Sequence, residues 1–387
     1  MLPDVSVIED TLAFAALEEE WEDLYGNAPL VTPFQSWAWL YSWWEFYGEG
    51  YELRLVTMRD QKTGLLVGLM PLMLERKGGF GRLLFIGTGP TNYQDLLARQ
   101  GWEAWVSEVG RQALEQMDDW HVVDLQPLRP EAAAWGIFEG WAGPRTRLWQ
   151  DNSPVIDARP WDELLGSLSR NLRSTARRTL RRAEADSVRS ELVGTDEAEQ
   201  AARRLVALSR EQWRERWRET GPEHWTRRFE AHLQTAISRM TARGLGAISE
   251  LRRGGEAIVS HFLIFGRNYI GVYMLGAGQQ ALQRYQFSTL LIWDGVSIAR
   301  GRNSKLLDLG AGKEPYKQRW SSETIPTCRM ILGRSSISYG PYAGYHALRS
   351  RIKRYLYYSE DAPLWIRNAS DIYRIVKYGA ARVTKVW

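Results

Sequence analysis

Between residues 256 and 320 lie a histidine, four acids and a run of hydroxyl, phenol and basic side chains whose types and spacing suit acid–base chemistry and anion binding. His261 falls in the apolar run 257–265, where burial favours the neutral imidazole and hence a general base. Asp308 stands in Leu306-Leu307-Asp308-Leu309, an expected strand beside the preceding hairpin, where a carboxylate can orient His261 or hold an amine. After the turn Gly310-Ala311-Gly312 come Glu314, Tyr316, Lys317 and Arg319. Tyr316 is a candidate acid for a leaving anion, and Lys317 and Arg319 can neutralise a phosphate or carboxylate. Each has a plainer reading beside it. A buried histidine is often bonded to a core neighbour, and a polar run after a strand is often a solvated loop. Asp124, in Val122-Val123-Asp124-Leu125, suggests that the fold itself also favours an acid at such a place.

These side chains need a frame. The apolar runs 257–265 and 269–275 are joined by Gly266-Arg267-Asn268 and read as a hairpin. A polar loop then leads into a predicted helix over 288–301, with Ser288 as N-cap and Gly301 closing it. Its N-terminus, with Gln286, Phe287, Ser288 and Thr289, would offer backbone N–H groups and a positive dipole to a donor's phosphates. Upstream, 161–185 reads as one helix with Leu168, Leu172, Ala176, Leu180 and Ala183 inward. Arg170, Arg173, Arg177 and Arg181 line one side, as a polyanion site or as a solvated face. In the first half, Gln35, Trp39, Tyr93, Gln94 and Asp95 are the residues most like an acceptor-side wall, with core packing as the alternative.

The elements repeat. Val67-Gly68 corresponds to Val259-Ser260, and Val122 to Leu125 corresponds to Leu306 to Leu309. Two copies of one mixed α/β unit are expected, covering 1–155 and 156–338, with a ligand groove between them and a basic aromatic helical tail over 339–387.

Composition excludes several classes. In 387 residues, 50 Lys and Arg stand against 46 Asp and Glu, too even for a protein that coats nucleic acid. From Tyr345 onward there are nine Lys or Arg and three Asp or Glu, so the tail carries the basicity. Peripheral contact with an anionic membrane and docking on its own domain are both open to such a tail. The single Cys328 excludes an internal disulfide and a cysteine-rich zinc site, and the five histidines form no metal pattern. The longest apolar stretch, 65–74, is about half a membrane span, and a cytoplasmic body is expected. Neither a Walker loop nor a Rossmann fingerprint is present.

Several stretches together resemble the GNAT-superfamily acyltransferases: PFQSWAWLYSW, GLLVGLMPLMLER, TNYQDLL, LSRNLRSTARRTLRRAEA, and SHF followed by STLLIWDGVSIARG and LLDLGAGKEPYKQRW. The resemblance is closest to the cellulose-biosynthesis acetyltransferase (CelD/BcsL-like) branch, related to the FemAB peptidoglycan transferases. It spans roughly residues 5–333 and implies two tandem GNAT-like folds, the second binding an acyl donor. The branch's usual loop has Pro-Gly before the helix, where this chain has Gln286-Phe287-Ser288-Thr289. What the resemblance implies is transfer of an acyl group, acetyl first, from acyl-coenzyme A to an amine or hydroxyl of an envelope-polysaccharide or amino-sugar precursor, free or lipid-linked. No permanently bound cofactor and no metal are expected. One alternative is a FemAB-like transferase using aminoacyl-tRNA, the one case that calls for nucleic acid, or acyl carrier protein. Another is a non-catalytic scaffold of polysaccharide synthesis.

Overall fold

The computed structural model describes residues 4–220, 227–312, 314–321 and 323–358. In chain order the first half forms β1 (Asp4–Ile8), α1 (Thr11–Ala16), α2 (Glu18–Asn27), α3 (Trp37–Tyr47), β2 (Tyr51–Arg59), β3 (Leu66–Lys77), β4 (Phe80–Phe85), β5 (Leu97–Ala98), α4 (Glu103–Gln116), β6 (Val122–Leu128), α5 (Trp135–Gly140) and β7 (Arg145–Asp157). The remainder forms α6 (Trp161–Ser167), α7 (Arg170–Ala185), β8 (Arg189–Leu192), α8 (Ala198–Thr220), α9 (Arg227–Ala242), β9 (Gly246–Arg253), β10 (Glu256–Phe265), β11 (Tyr269–Ala277), α10 (Gln279–Arg284), α11 (Phe287–Gly301), β12 (Leu306–Asp308), α12 (Pro315–Trp320), β13 (Glu323–Gly333) and α13 (Ser336–Tyr358).

Two units result, one from 4–151 with 326–358 and the other from 152–325. The chain passes between them within β7 and again within β13, so 326–338 belongs with the first half, contrary to the expected division at 338. In the first unit the strand order is β1-β2-β3-β4-β6-β13, antiparallel except for the parallel pair β4 and β6. In the second it is β8-β9-β10-β11-β12-β7, antiparallel except for β11 and β12. The mixed α/β duplication is thus present, with one feature the sequence hides: each unit takes its last strand from the other half of the chain. The registers match as well. Arg82 and Leu83 face Val122 and Val123, while Tyr269, Ile270 and Gly271 face Leu306, Leu307 and Asp308.

In the first unit, Ser36 caps α3 by accepting from the Trp39 N–H at 3.3 Å. The core joins Met58, Met70, Phe85, Leu125 and Trp135 to Met330 and Leu332 of β13. α13 docks here through a buried ionic cluster. Arg329 Nε donates to Asp124 Oδ1 at 2.6 Å, and Arg329 and Tyr342 both donate to Asp124 Oδ2. Burial would raise the Asp124 carboxyl, but the charge and hydrogen bond of Arg329 outweigh it and hold it below the usual carboxylate range.

In the second unit α7 and α11 cover one sheet face. Leu172 and Ala176 meet Leu291, Ile292 and Val296 over Leu263, Val272 and Leu307. The expected single helix over 161–185 breaks at Leu168, which is extended, because Ser169 caps α7 by accepting from Leu172 N–H. On the other face α8 lies so close to β11 that a Cβ on Gly276 would sit 2.3 Å from the Ser209 nitrogen. Only glycine permits that approach. Of the expected tail, 339–358 lies within α13 on the first unit, and 359–387 lies outside the described residues.

Candidate active site

The apolar residues of β11 and α11 place an opening in the second unit's sheet. β11 pairs with β12 only at Tyr269, Ile270 and Gly271, then runs on to Ala277. β12 ends at Asp308, and the chain turns away through Gly310 (φ 72°) and Gly312 (φ 128°), left-handed conformations that suit glycine. From Val272 to Ala277, β11 therefore has no strand on that side among the described residues. An extended ligand can bond to such an edge. The chain leaving β11 leads through α10 to α11, so this edge and the α11 N-terminus are consecutive in the chain.

The helix start differs from the expectation. Gln286, not Ser288, is the N-cap, and no side chain caps the helix. Ser288 is buried in the first turn, and its Oγ accepts a 3.4 Å bond from Trp320 Nε1. Thr289 is also buried and donates its hydroxyl to Gln286 Oε1 at 3.3 Å. Phe287 packs on the core between α7 and α11. At the other end Gly301 is the last helical residue and Arg302 the C-cap.

The run after β12 divides. Lys317 is 6% exposed; its Nζ donates to the Gly310 and Ala311 carbonyls at 3.1 and 2.9 Å and pairs with Glu314 at 3.1 Å. With two N–H groups on carbonyls and its charge paired with Glu314, Lys317 staples the glycine turn and is not the free phosphate ligand the sequence suggested. Tyr316 packs against the α7–α11 core, where burial, helped by the Glu314 charge, raises its phenol pKa, so it stays protonated at neutral pH. Arg319 is exposed and lines a cavity of about 390 Å³ with Arg159, Ser167, Ser169 and Trp320. Through the Trp320–Ser288 bond this cavity adjoins the first turn of α11.

His261 is fully buried, and its partner is Asp294 of α11: Nε2 and Oδ2 lie 2.6 Å apart. Ser249 of β9 donates to the same oxygen at 2.6 Å, and Ser190 of β8 donates to Oδ1. Burial would raise the Asp294 carboxyl, but the hydrogen bond and charge of His261, with both serines, hold it below the usual range. The carboxylate accepts from the Nε2–H, and the buried Nδ1 has no partner among the described residues. Asp294 thereby clasps α11 to three adjacent strands.

Asp308 cannot orient His261. Leu307 faces α11, where its methyls would meet a Cβ on Gly295, so the next residue on the strand points to the opposite face. Asp308 is buried there and accepts the Gly310 N–H at 2.8 Å, shaping the turn. Sequence reading missed Asp294. A lone acid amid the apolar helix positions of Leu290 to Ile298 was the available signal, since a buried carboxylate needs partners.

The proposed acceptor wall is core in the first unit. Gln35 donates to the Tyr93 carbonyl at 2.6 Å and accepts from Thr32 N–H at 2.8 Å; Trp39 Nε1 donates to Thr91 Oγ1 at 2.9 Å. Asp95 accepts from the N–H groups of Leu96, Ala133 and Ala134 at 2.7–2.9 Å. Burial pushes its carboxyl up to about 7 against the pull of those donors. Gln94 bridges the Ile86 carbonyl, just past β4, to the Pro127 carbonyl of β6 at 2.6 and 2.8 Å. These residues are buried because they fill the place where β4 and β6 part. Of the α7 arginines, Arg173 folds back on the Gly166 and Leu168 carbonyls at 2.8 and 3.0 Å, while Arg170, Arg177 and Arg181 are exposed.

Residues 170–318 match the acetyltransferase (GNAT) domain family. No curated protein matches the chain. Among solved structures, FemX aligns at 10% identity and a TM-score of 0.58, over 84% of this chain and 98% of that one. The C-terminal domain of a putative lysylphosphatidylglycerol synthetase from Agrobacterium fabrum aligns at 11% and 0.52, over 87% and 96%. L-PGS from Bacillus licheniformis aligns at 14% and 0.52, over 86% and 96%. At such identities the likeness is one of fold.

Proposed function

We propose that this chain, an acyltransferase by its GNAT domain over 170–318, moves an acyl group from acyl-coenzyme A to an amine or hydroxyl of an envelope-polysaccharide or amino-sugar precursor. The observation that carries the donor assignment is the open β11 edge followed by the α11 N-terminus without a side-chain cap. The first-turn N–H groups of Phe287 and Ser288 would receive the donor's phosphates, with Gln286 at the entrance, its carbonyl already accepting the Thr289 N–H at 2.9 Å. The β11 edge would hold the donor's amide-bearing arm. The acceptor's nitrogen or oxygen attacks the thioester carbonyl, the C–S bond breaks, Tyr316 gives its proton to the thiolate, and the proton that the acceptor loses returns to the Tyr316 oxygen through solvent. His261 and Asp294 act as a positioning pair for α11, and Asp308 shapes the Gly310 turn. The cavity at Arg319 is the acceptor's place. The CelD/BcsL-like resemblance supports the polysaccharide assignment.

Calorimetric titration with coenzyme A, acetyl-coenzyme A and longer acyl-coenzyme A esters tests the donor. Saturable one-site binding is expected, and absence of binding would sink this reading. A second reading, aminoacyl-tRNA as donor, is favoured by the exposed arginines of α7, whose only acid is Glu184, and by the FemX fold. It requires tRNA affinity that falls steeply with salt.

A further inference from the structure

We infer that the outer face of α13 is a docking surface for an anionic lipid bilayer. The helix has two unlike sides. Its inner side is fastened to the first unit: Tyr342 to Asp124, Ser350 Oγ to the Trp149 carbonyl at 2.5 Å, and Lys353 Nζ to the Gln150 carbonyl and Asp151 at 2.7 and 2.8 Å. Ala343, His346 and Leu356 are buried on that side. Opposite, at helical spacing, Ile337, Leu348, Ile352 and Tyr355 are 89%, 59%, 37% and 51% exposed. An apolar stripe of this length, along a helix of roughly 34 Å, is uncommon on a surface with nothing to cover it.

Charge selects the occupant. Across its 23 residues α13 has Arg349, Arg351, Lys353 and Arg354 and no Asp or Glu. Arg351 and Arg354 are exposed beside the stripe and have no carboxylate partner among the described residues. A second copy of the helix would set cations against cations. Residues 359–387, with five Lys or Arg and three Asp or Glu, would do the same. A bilayer with anionic headgroups satisfies both parts: the acyl boundary takes Leu348, Ile352 and Tyr355, and the headgroups take the arginines. Among the described residues no helix is long and apolar enough to cross a membrane, so the contact is interfacial.

The test is co-sedimentation of the full chain with phosphatidylcholine vesicles, with and without 30% phosphatidylglycerol. Binding is expected only to the anionic vesicles and should weaken with salt. The double variant Leu348→Asp/Ile352→Asp should lower vesicle affinity by roughly tenfold or more, and Arg351→Glu/Arg354→Glu by a similar factor. Both should keep the wild-type melting temperature. Equal binding by wild type and the Leu348/Ile352 variant would overturn the assignment, placing any lipid contact elsewhere in the chain. A wild-type dimer that the same variant converts to monomer without vesicles would overturn it too, making the face an interface between copies.

Discussion

The two units share a strand plan but treat the opening beside their parallel strand in opposite ways. In the first, β4 stops at Phe85, and Thr91 to Leu96 fills the space beside β6, with Gln94 joined to Ile86 and Pro127 and Asp95 closed over three N–H groups. In the second, β11 continues to Ala277 with that edge unpaired among the described residues, and the 15-residue α11 follows after α10. The matching acids diverge as well: Asp124 is locked to Arg329 and Tyr342, whereas Asp308 shapes a glycine turn. A duplicated fold can carry one ligand cleft while its sister's cleft is spent on structure, and polar residues pack the sister's cleft as readily as they line a working one.

The largest expected effect probes the closed unit. Asp124→Ala leaves the half-buried Arg329 and Arg82 beside an empty site and should cost about 3–5 kcal/mol in denaturant unfolding. Acyl-coenzyme A affinity of the protein that remains folded should be unchanged. A tenfold loss of that affinity would break the separation of roles. Asp294→Ala in the open unit removes the partner of His261, Ser249 and Ser190, and about 3 kcal/mol of stability should go with it. Here donor affinity should fall as well, because α11 loses its clasp. The Asp294 carboxyl is held low in the fold, so its stabilisation is present above the unfolded value near 4 and lost as pH falls below it. The stability gap between wild type and Asp294→Asn should therefore narrow below about pH 4. Tyr316→Phe should lower kcat about a hundredfold with donor affinity and melting temperature preserved, whereas an unchanged kcat would remove Tyr316 from the chemistry.

What the sequence disclosed was local. Alternating apolar residues and the Val122/Leu306 correspondence revealed the repeat, because strand periodicity survives without knowledge of neighbours. The exchange of β7 and β13 was hidden, since periodicity assigns a face but not the strand beside it. The same limit set Asp308 beside His261: both lie on strands of one sheet, but only register and alternation decide which face each occupies. Tyr93 and Asp95 looked like a binding wall because residue types suited to ligands also suit a buried, fully bonded plug. Lys317 deceived similarly, a cation read as free that folds inward onto carbonyls.

The smallest effect is a slope, and it asks how completely the first unit is closed. An Asp95 carboxyl that titrates near 7 keeps its proton in the fold over a range where the unfolded chain has lost it. Between about pH 4 and pH 7 the native state then binds more protons, so this residue's contribution to stability declines as pH rises and is level beyond. The difference in unfolding free energy between wild type and Asp95→Asn, measured from pH 4 to pH 8, isolates that contribution. A declining difference means that burial dominates and the space beside β4 is dry. A flat difference means that the carboxylate is charged throughout, the three N–H donors of Leu96, Ala133 and Ala134 having outweighed desolvation. In that case the plug is held by a charged anchor, and the two units differ less in polarity than in which of them leaves its strand edge free.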